Sequence, residues 1–292
     1  MAVSRSALFF VNRTSRKGAR TAELASARLR GLGFSLVECP TRDPKSLRAT
    51  IRERRAQVDL AIIGGGDGTL NGAVDALVET DLALGILPLG TANDLAQTLR
   101  IPKNVADACD VIANGTLRRI DVGSVNGKHF LNEAGLGMSA KLARRLTKKG
   151  KGLFGTVAVG WSALQIMVRA RPFHARVRCG DATTEVRTLH MMVANGSNFG
   201  GWIVNRDAAI DDQVLDLYSF EITHWRQVLS VLPSMLKGRY QDCPGVRLMH
   251  GSEFEIHTKR PHSVDTDGEI TTQCPAVFRI LPRALSVFVP SA

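Results

Sequence analysis

The run "VDLAIIGGGDGTLNGAVDALVE", Val58 to Glu79, constrains this chain more than any other stretch. Its apolar opening, "VDLAIIG", reads as a buried strand, and "TLNGAVDALVE" reads as a helix. Between them four glycines fill five positions: Gly64, Gly65, Gly66 and Gly68 surround Asp67. Glycine permits backbone conformations closed to other residues and lets N–H groups approach a ligand. The same alternation surrounds this run. "ALFFV", "FSLVE" and "LALGILP" are further strands, while "TAELASARLRGLG", "PKSLRATIRERRAQ" and "ANDLAQTL" are further helices. This β-α order predicts a parallel, doubly wound sheet with helices on both faces. Ligands of such sheets bind at the carboxyl ends of the strands, where both "GGGDGT" and "LPLGTAND" fall.

Neither familiar phosphate-binding fingerprint fits. The dinucleotide pattern G-x-G-x-x-G fails because the sixth position from Gly64 is Thr69 and from Gly66 is Asn71. The P-loop pattern fails because no lysine follows Gly68. The second loop repeats the chemistry one strand later. It offers Gly90 for close approach, Thr91 for a hydroxyl, and Asn93 and Asp94 for polar contacts or a helix cap.

After Arg118 the pattern changes. "RRIDVGSV" and "KHFLNEAG" are joined by Asn126-Gly127, a strong hairpin signal. A helical region is predicted from Leu136 to about residue 170, followed by short alternating runs that predict an antiparallel β-rich domain. A helix around "HWRQVLSVLPSMLKG" interrupts these runs. The division is therefore 1–119 for an α/β domain and 120–292 for an antiparallel, sandwich-like domain, with the last residues able to return to the first.

At this point the motifs resemble a known family. "GGGDGTLN" followed by "LPLGTANDLA" resembles the diacylglycerol kinase catalytic domain, in particular the bacterial YegS-type soluble lipid kinases. "NEAGLG", "ANGSNFGG", "DDQVLDL" and "DTDGE" match later family motifs in order. The resemblance implies an ATP- and Mg²⁺-dependent kinase acting in an interdomain cleft on a lipid hydroxyl, such as that of diacylglycerol or phosphatidylglycerol. It assigns Asp67 to the Mg·ATP and catalytic centre and Glu269 to the general base. Gly64, Gly65, Gly66, Gly68, Thr69, Leu70, Asn71, Gly90, Thr91, Asn93 and Asp94 fall to the nucleotide, with Thr41 in "CPTRDP". A carboxylate among phosphates then makes sense, since a metal ion offsets the repulsion.

The resemblance further implies a structural Mg²⁺ or Ca²⁺ held by Asp212 and the carbonyls of Ala209 and Val214. The chain departs from the family pattern at Gln213 where a glycine is usual, at Arg13 where a proline is usual, at Trp202 where a third glycine is common, and in lacking the proline expected upstream of Asp212. Kinases of another alcohol, a sphingoid base or NAD, and a non-catalytic nucleotide sensor are the alternative readings.

Charge adds a partner. Lys plus Arg exceed Asp plus Glu by 38 − 27 = 11. From Ala134 to Gly180 there is no acid but ten bases, and Lys141, Arg144, Arg145 and Lys148 share one helical face. This face suits either solvent or an anionic membrane surface. Aromatics at 5% and the lack of a recognised motif argue against nucleic acid. Five cysteines without CxxC spacing predict reduced thiols in a cytoplasmic protein. The longest apolar stretch, residues 157–168, is far short of the ~20 residues of a membrane span, so membrane contact would be peripheral. The pattern leaves oligomeric state open.

Overall fold

The structure is a computed structural model. It describes residues 5–11, 16–39, 44–137, 171–199, 202–203, 209–221, 243 and 245–291. The chain divides into two compact units, residues 1–122 with 282–292, and residues 123–281.

The first unit is built on strands β1 (Arg5–Val11), β2 (Phe34–Glu38), β3 (Leu60–Gly65) and β4 (Ala83–Pro88), all parallel in the order β2-β1-β3-β4. Every residue of β3 is buried, and so is the run Ala7–Val11 of β1. That is why both read as unbroken apolar runs rather than alternating ones. The helices are α1 (Arg16–Gly31), α2 (Pro44–Arg54), α3 (Asp67–Thr80), α4 (Asp94–Thr98) and α5 (Val105–Asn114). Right-handed crossovers place α1 on one face and α2 and α3 on the other, and the helices pack as the pairs α1 with α5 and α2 with α3.

Three details differ from the sequence reading. Helix α1 begins at Arg16, five residues before the "TAELASARLRGLG" pattern that predicts it. Helix α3 begins at Asp67, so Asp67, Gly68 and Thr69 form its first turn rather than a loop. Helix α5 has no counterpart in that reading, although Asn104 announces it by accepting the Ala106 N–H at 2.9 Å.

The second unit is antiparallel. One sheet runs β14 (Val246–Gly251), β13 (Leu215–Phe220), β10 (His190–Ala194), β7 (Glu133–Leu136), β16 (Ser263–Thr266), β17 (Glu269–Gln273). A second layer pairs β9 (Ala182–Thr188) with β8 (Phe173–Cys179), β8 with β15 (Glu253–Thr258), and β15 with the first half of β18 (Ala276–Val289). Strand β8 alternates buried and exposed residues, as a half-covered sheet requires. Leu136, Met191, Val193, Leu217, Phe254, Ile256 and Phe278 meet in one core between these layers. Each such side chain contributes roughly 1.5–3 kcal/mol on burial.

Strands β5 (Thr116–Val125) and β6 (Lys128–Phe130) form the hairpin over Asn126-Gly127, both with positive φ. Two of the short alternating runs, "AVFRIL" (Ala276–Leu281) and "ALSVFV" (Ala284–Val289), are a single strand, β18. Its far end pairs parallel with β4 through Val287 and Leu84, within the first unit. Leu136, read as the start of a helix, is the last residue of β7. Gly137, at φ 98°, is not helical either, and residues 138–170 of that region and the "HWRQVLSVLPSMLKG" helix lie outside the described residues, as do Arg13 and Thr41.

Candidate active site

In the first unit the chain reverses its winding between β1 and β3, so the carboxyl end of β3 lies at a topological switch point. "GGGDGT" stands there. The glycines are not equivalent. A Cβ on Gly64 would sit 2.8 Å from Val11 Cγ2, and one on Gly65 would sit 2.5 Å from the Thr69 side chain. On Gly90 it would lie 2.4 Å from Gly66 Cα. These glycines let the two loops touch backbone to backbone, and the Leu89 N–H seals the contact on Gly65 O at 2.9 Å. Gly68 is different. A Cβ there would meet nothing within 4 Å, so its lack of a side chain serves no packing purpose in the first turn of α3.

Asn93 holds the second loop. Its Oδ1 accepts the Gly90 N–H at 2.8 Å and its Nδ2 donates to Gly90 O at 3.0 Å, with its own backbone at φ 55°. Its side chain is therefore spent on loop closure. Asp67, at the start of α3, accepts the Leu95 N–H at 3.3 Å and so links the two loops. Asp94 is buried at the start of α4 and Thr91 is exposed beside it. The Leu70 side chain belongs to the core, and Asn71 follows it in α3. The structure thus brings Gly64 to Asn71 together with Gly90 to Asp94 on one edge of the sheet.

In the second unit, Asp267 and Gly268 form the tight turn between β16 and β17, with φ of 45° and 84°. Glu269 is the first residue of β17 and exposed, opposite Thr266. Asp267 has a demanding environment. Its Oδ2 accepts the Leu131 N–H at 2.8 Å, and its Oδ1 accepts the N–H groups of Asn132 and Glu133 at 2.9 and 3.2 Å. Burial pushes its pKa up to about 6, against the opposing pull of those donors. In the same sheet His190 is pushed down to about 4 by burial.

The Asp212 loop brings its three residues together. The Asp212 carboxylate accepts the N–H groups of Ala209 at 3.3 Å and Val214 at 3.0 Å. Gln213 has φ 64°, the left-handed conformation that explains why a glycine is usual there. Among the described residues no group of three His, Cys, Asp or Glu could hold a metal ion. The five cysteines are thiols rather than disulfides.

Trp202 lies in a two-residue strand opposite Phe199. Of the basic segment, Lys141, Arg144, Arg145 and Lys148 lie outside the described residues. Arg176 and Arg178 are paired, with Glu185 at 3.1 Å and with Glu255. Among the described residues no helix is long and apolar enough to cross a membrane.

Residues 6–125 match the diacylglycerol kinase catalytic domain model, and residues 133–289 match the YegS C-terminal NAD kinase β-sandwich-like domain model. A Bacillus subtilis protein named diacylglycerol kinase is 27% identical over 238 residues, 80% of this chain and 78% of its own length. One of the same name from Staphylococcus saprophyticus is 25% identical over 243 residues, 82% of this chain and 80% of its own. A crystal structure titled as a diacylglycerol kinase from Bacillus anthracis shares the fold, with a TM-score of 0.82 at 24% identity, covering 98% of this chain and 97% of that one.

Proposed function

This chain belongs to the diacylglycerol kinase catalytic domain family, in its YegS-type branch, and from that premise we propose that it transfers the γ-phosphoryl group of ATP to a lipid hydroxyl. The observation that carries the reading is Gly68: a helical glycine that packing does not require, facing open space at the head of α3 beside a carboxylate. N–H groups and the positive end of a helix favour phosphate there. The fit extends to Mg²⁺, for which Asp67 is the oxygen donor; bound with ATP, the ion would offset phosphate charge during transfer.

The chain's own residues then divide the work. The N–H groups of Gly66 and Gly68, the Thr69 side chain, and the second loop at Thr91 hold and orient the nucleotide, with Thr41 assigned to the same role. Asn93 keeps the second loop in shape. Glu269 accepts the proton of the acceptor hydroxyl as its oxygen bonds to the γ-phosphorus and the bond to the β-phosphate oxygen breaks, releasing ADP. Asp212, Ala209 and Val214 are assigned to a second, structural cation. The acceptor is a lipid at an anionic membrane surface, reached from the cytoplasm.

The test is a labelled-ATP assay over diacylglycerol, phosphatidylglycerol, a sphingoid base and NAD in mixed micelles or solution. Label appearing in extracted diacylglycerol or phosphatidylglycerol supports the proposal. Transfer to NAD or the sphingoid base alone favours the other kinases, and nucleotide binding without transfer to any of them favours a sensor.

A further inference from the structure

All six backbone polar groups of Leu131, Asn132 and Glu133 are engaged by two residues from elsewhere in the second unit. The three N–H groups donate to the Asp267 carboxylate, and the Glu133 carbonyl accepts the Asp267 N–H at 2.9 Å. On the other side, Leu131 O accepts Asn195 Nδ2 at 3.1 Å and Asn132 O accepts the Asn195 N–H at 2.8 Å. Leu131, Asn132 and Glu133 are buried, and Asn195 is only 2% exposed. An unpaired buried N–H or C=O costs about 1–3 kcal/mol, so no member of this set can drift alone. Three separate motifs, "NEAG", "ANGS" and "DTDGE", are thereby stitched into one piece. The Asp267 backbone sits at the hairpin tip, partly exposed, while its carboxylate turns inward to the three amides.

Glu269 lies two residues beyond Asp267, across Gly268. We infer that Asp267 and Asn195 are positioning residues for phosphoryl transfer: they clamp the 131–133 segment from both sides and so fix the hairpin that carries Glu269. The clamp explains why this turn carries an aspartate as well as a glycine. Asp-Gly suffices for the backbone turn, but only the carboxylate can collect three amides. The inference rests on Glu269 being the base. Misplacing a catalytic group by about 1 Å can cost about 10²-fold in rate.

The experiment uses the full chain and the variants Asp267→Asn, Asn195→Ala, Glu269→Gln and the double variant Asp267→Asn with Glu269→Gln. Asn at 267 keeps Oδ1 for the Asn132 and Glu133 amides but turns a donor toward the Leu131 N–H. The first readout is hydrogen exchange at the amides of residues 131–133, which requires no activity. Exchange at least about tenfold faster is expected in Asp267→Asn, with the variant still folding cooperatively although at a lower melting temperature; unchanged exchange would overturn the clamp. The second is kinetic. Asp267→Asn should lower kcat by about 10–100-fold with the KM for ATP within about twofold, while adding it to Glu269→Gln should cost less than about threefold. A full additional loss in the double variant, or wild-type kcat in Asp267→Asn, contradicts positioning through Glu269. If Glu269→Gln itself turns over normally, the base assignment falls and with it this role, while the exchange data still decide whether the clamp exists. Should Asp267→Asn fold poorly, Asn195→Ala is read by the same measurements, with the same expected and contradicting results.

Discussion

The glycine loops of the first unit and the Asp267 clamp of the second are assigned to two halves of one reaction, yet they are built in opposite ways. The loops are local and made by removing side chains: Gly66 and Gly90 touch because neither has a Cβ. The clamp is long-range and made by adding one. A single carboxylate at residue 267 collects amides from residues 131 to 133. A site that must hold a polyanion benefits from bare backbone, which presents many N–H groups without desolvating a charged side chain. A site that must aim one carboxylate benefits from buried, fully paired side chains, because each broken bond carries a penalty.

The contrast breaks first at Glu269. Replacing it with Gln should lower turnover by about 10²–10⁴-fold, the usual contribution of a general base, while the melting temperature holds. A variant with more than half of wild-type turnover would remove the chemical role from the second unit.

Next come the glycines. Gly90→Ala forces a Cβ against Gly66 Cα and should destabilise by about 1–3 kcal/mol, seen as a lowered midpoint in urea. Gly68→Ala meets nothing and gains helix propensity, so it should be neutral or stabilising by up to about 1 kcal/mol. It should nevertheless weaken Mg·ATP binding. If Gly68→Ala binds nucleotide like wild type, the open space at α3 has no ligand role.

The clamp should leave a signature in acid. Below the ordinary carboxylate pKa of 3.8 both folded and unfolded chains keep the Asp267 proton. Between 3.8 and about 6 the unfolded chain loses it and the folded chain retains it. Stability from this group therefore falls as pH rises through that window, by at most about 3 kcal/mol and by less where water reaches the carboxylate. Asp267→Asn should remove that part of the slope in urea unfolding between pH 4 and 6. Identical slopes would mean the carboxylate is not held near neutrality.

The smallest effect belongs to the Asp212 loop. A cation bound only by the folded state raises the melting temperature by mass action. Added Mg²⁺ without ATP should produce a rise of a few degrees that Asp212→Ala abolishes. The same response in the variant would make the loop an ordinary turn, its carboxylate occupied by the Ala209 and Val214 amides.

The same local-against-distant contrast governs what is legible in the sequence. The parallel sheet and the two loops were legible because β3, the glycines and α3 are contiguous and their periodicities are distinct. The start of α3 at Asp67 was missed because glycine after glycine reads as a turn, although the chain is already helical there. Helix α5 was missed although Asn104 caps it. β18 was split in two because Pro282 and Arg283 interrupt the apolar alternation, and Arg283 takes φ 51° within the strand. Asp-Gly within "DTDGE" is a local turn signal, and the resemblance alone assigns Glu269 its role as base. Asp267 as an anchor was not legible, since its partners lie 134 to 136 residues away and no spacing rule connects them.

The division of labour between the units is tested most directly by titrating Mg·ATP into wild type, Asp67→Asn and Glu269→Gln and following the heat of binding without acceptor lipid. Asp67→Asn should weaken binding at least about tenfold, whereas Glu269→Gln should bind within about twofold of wild type although it does not turn over. Equal nucleotide affinity in the two variants would contradict the assignment of phosphate and metal to the first unit and of proton transfer to the second.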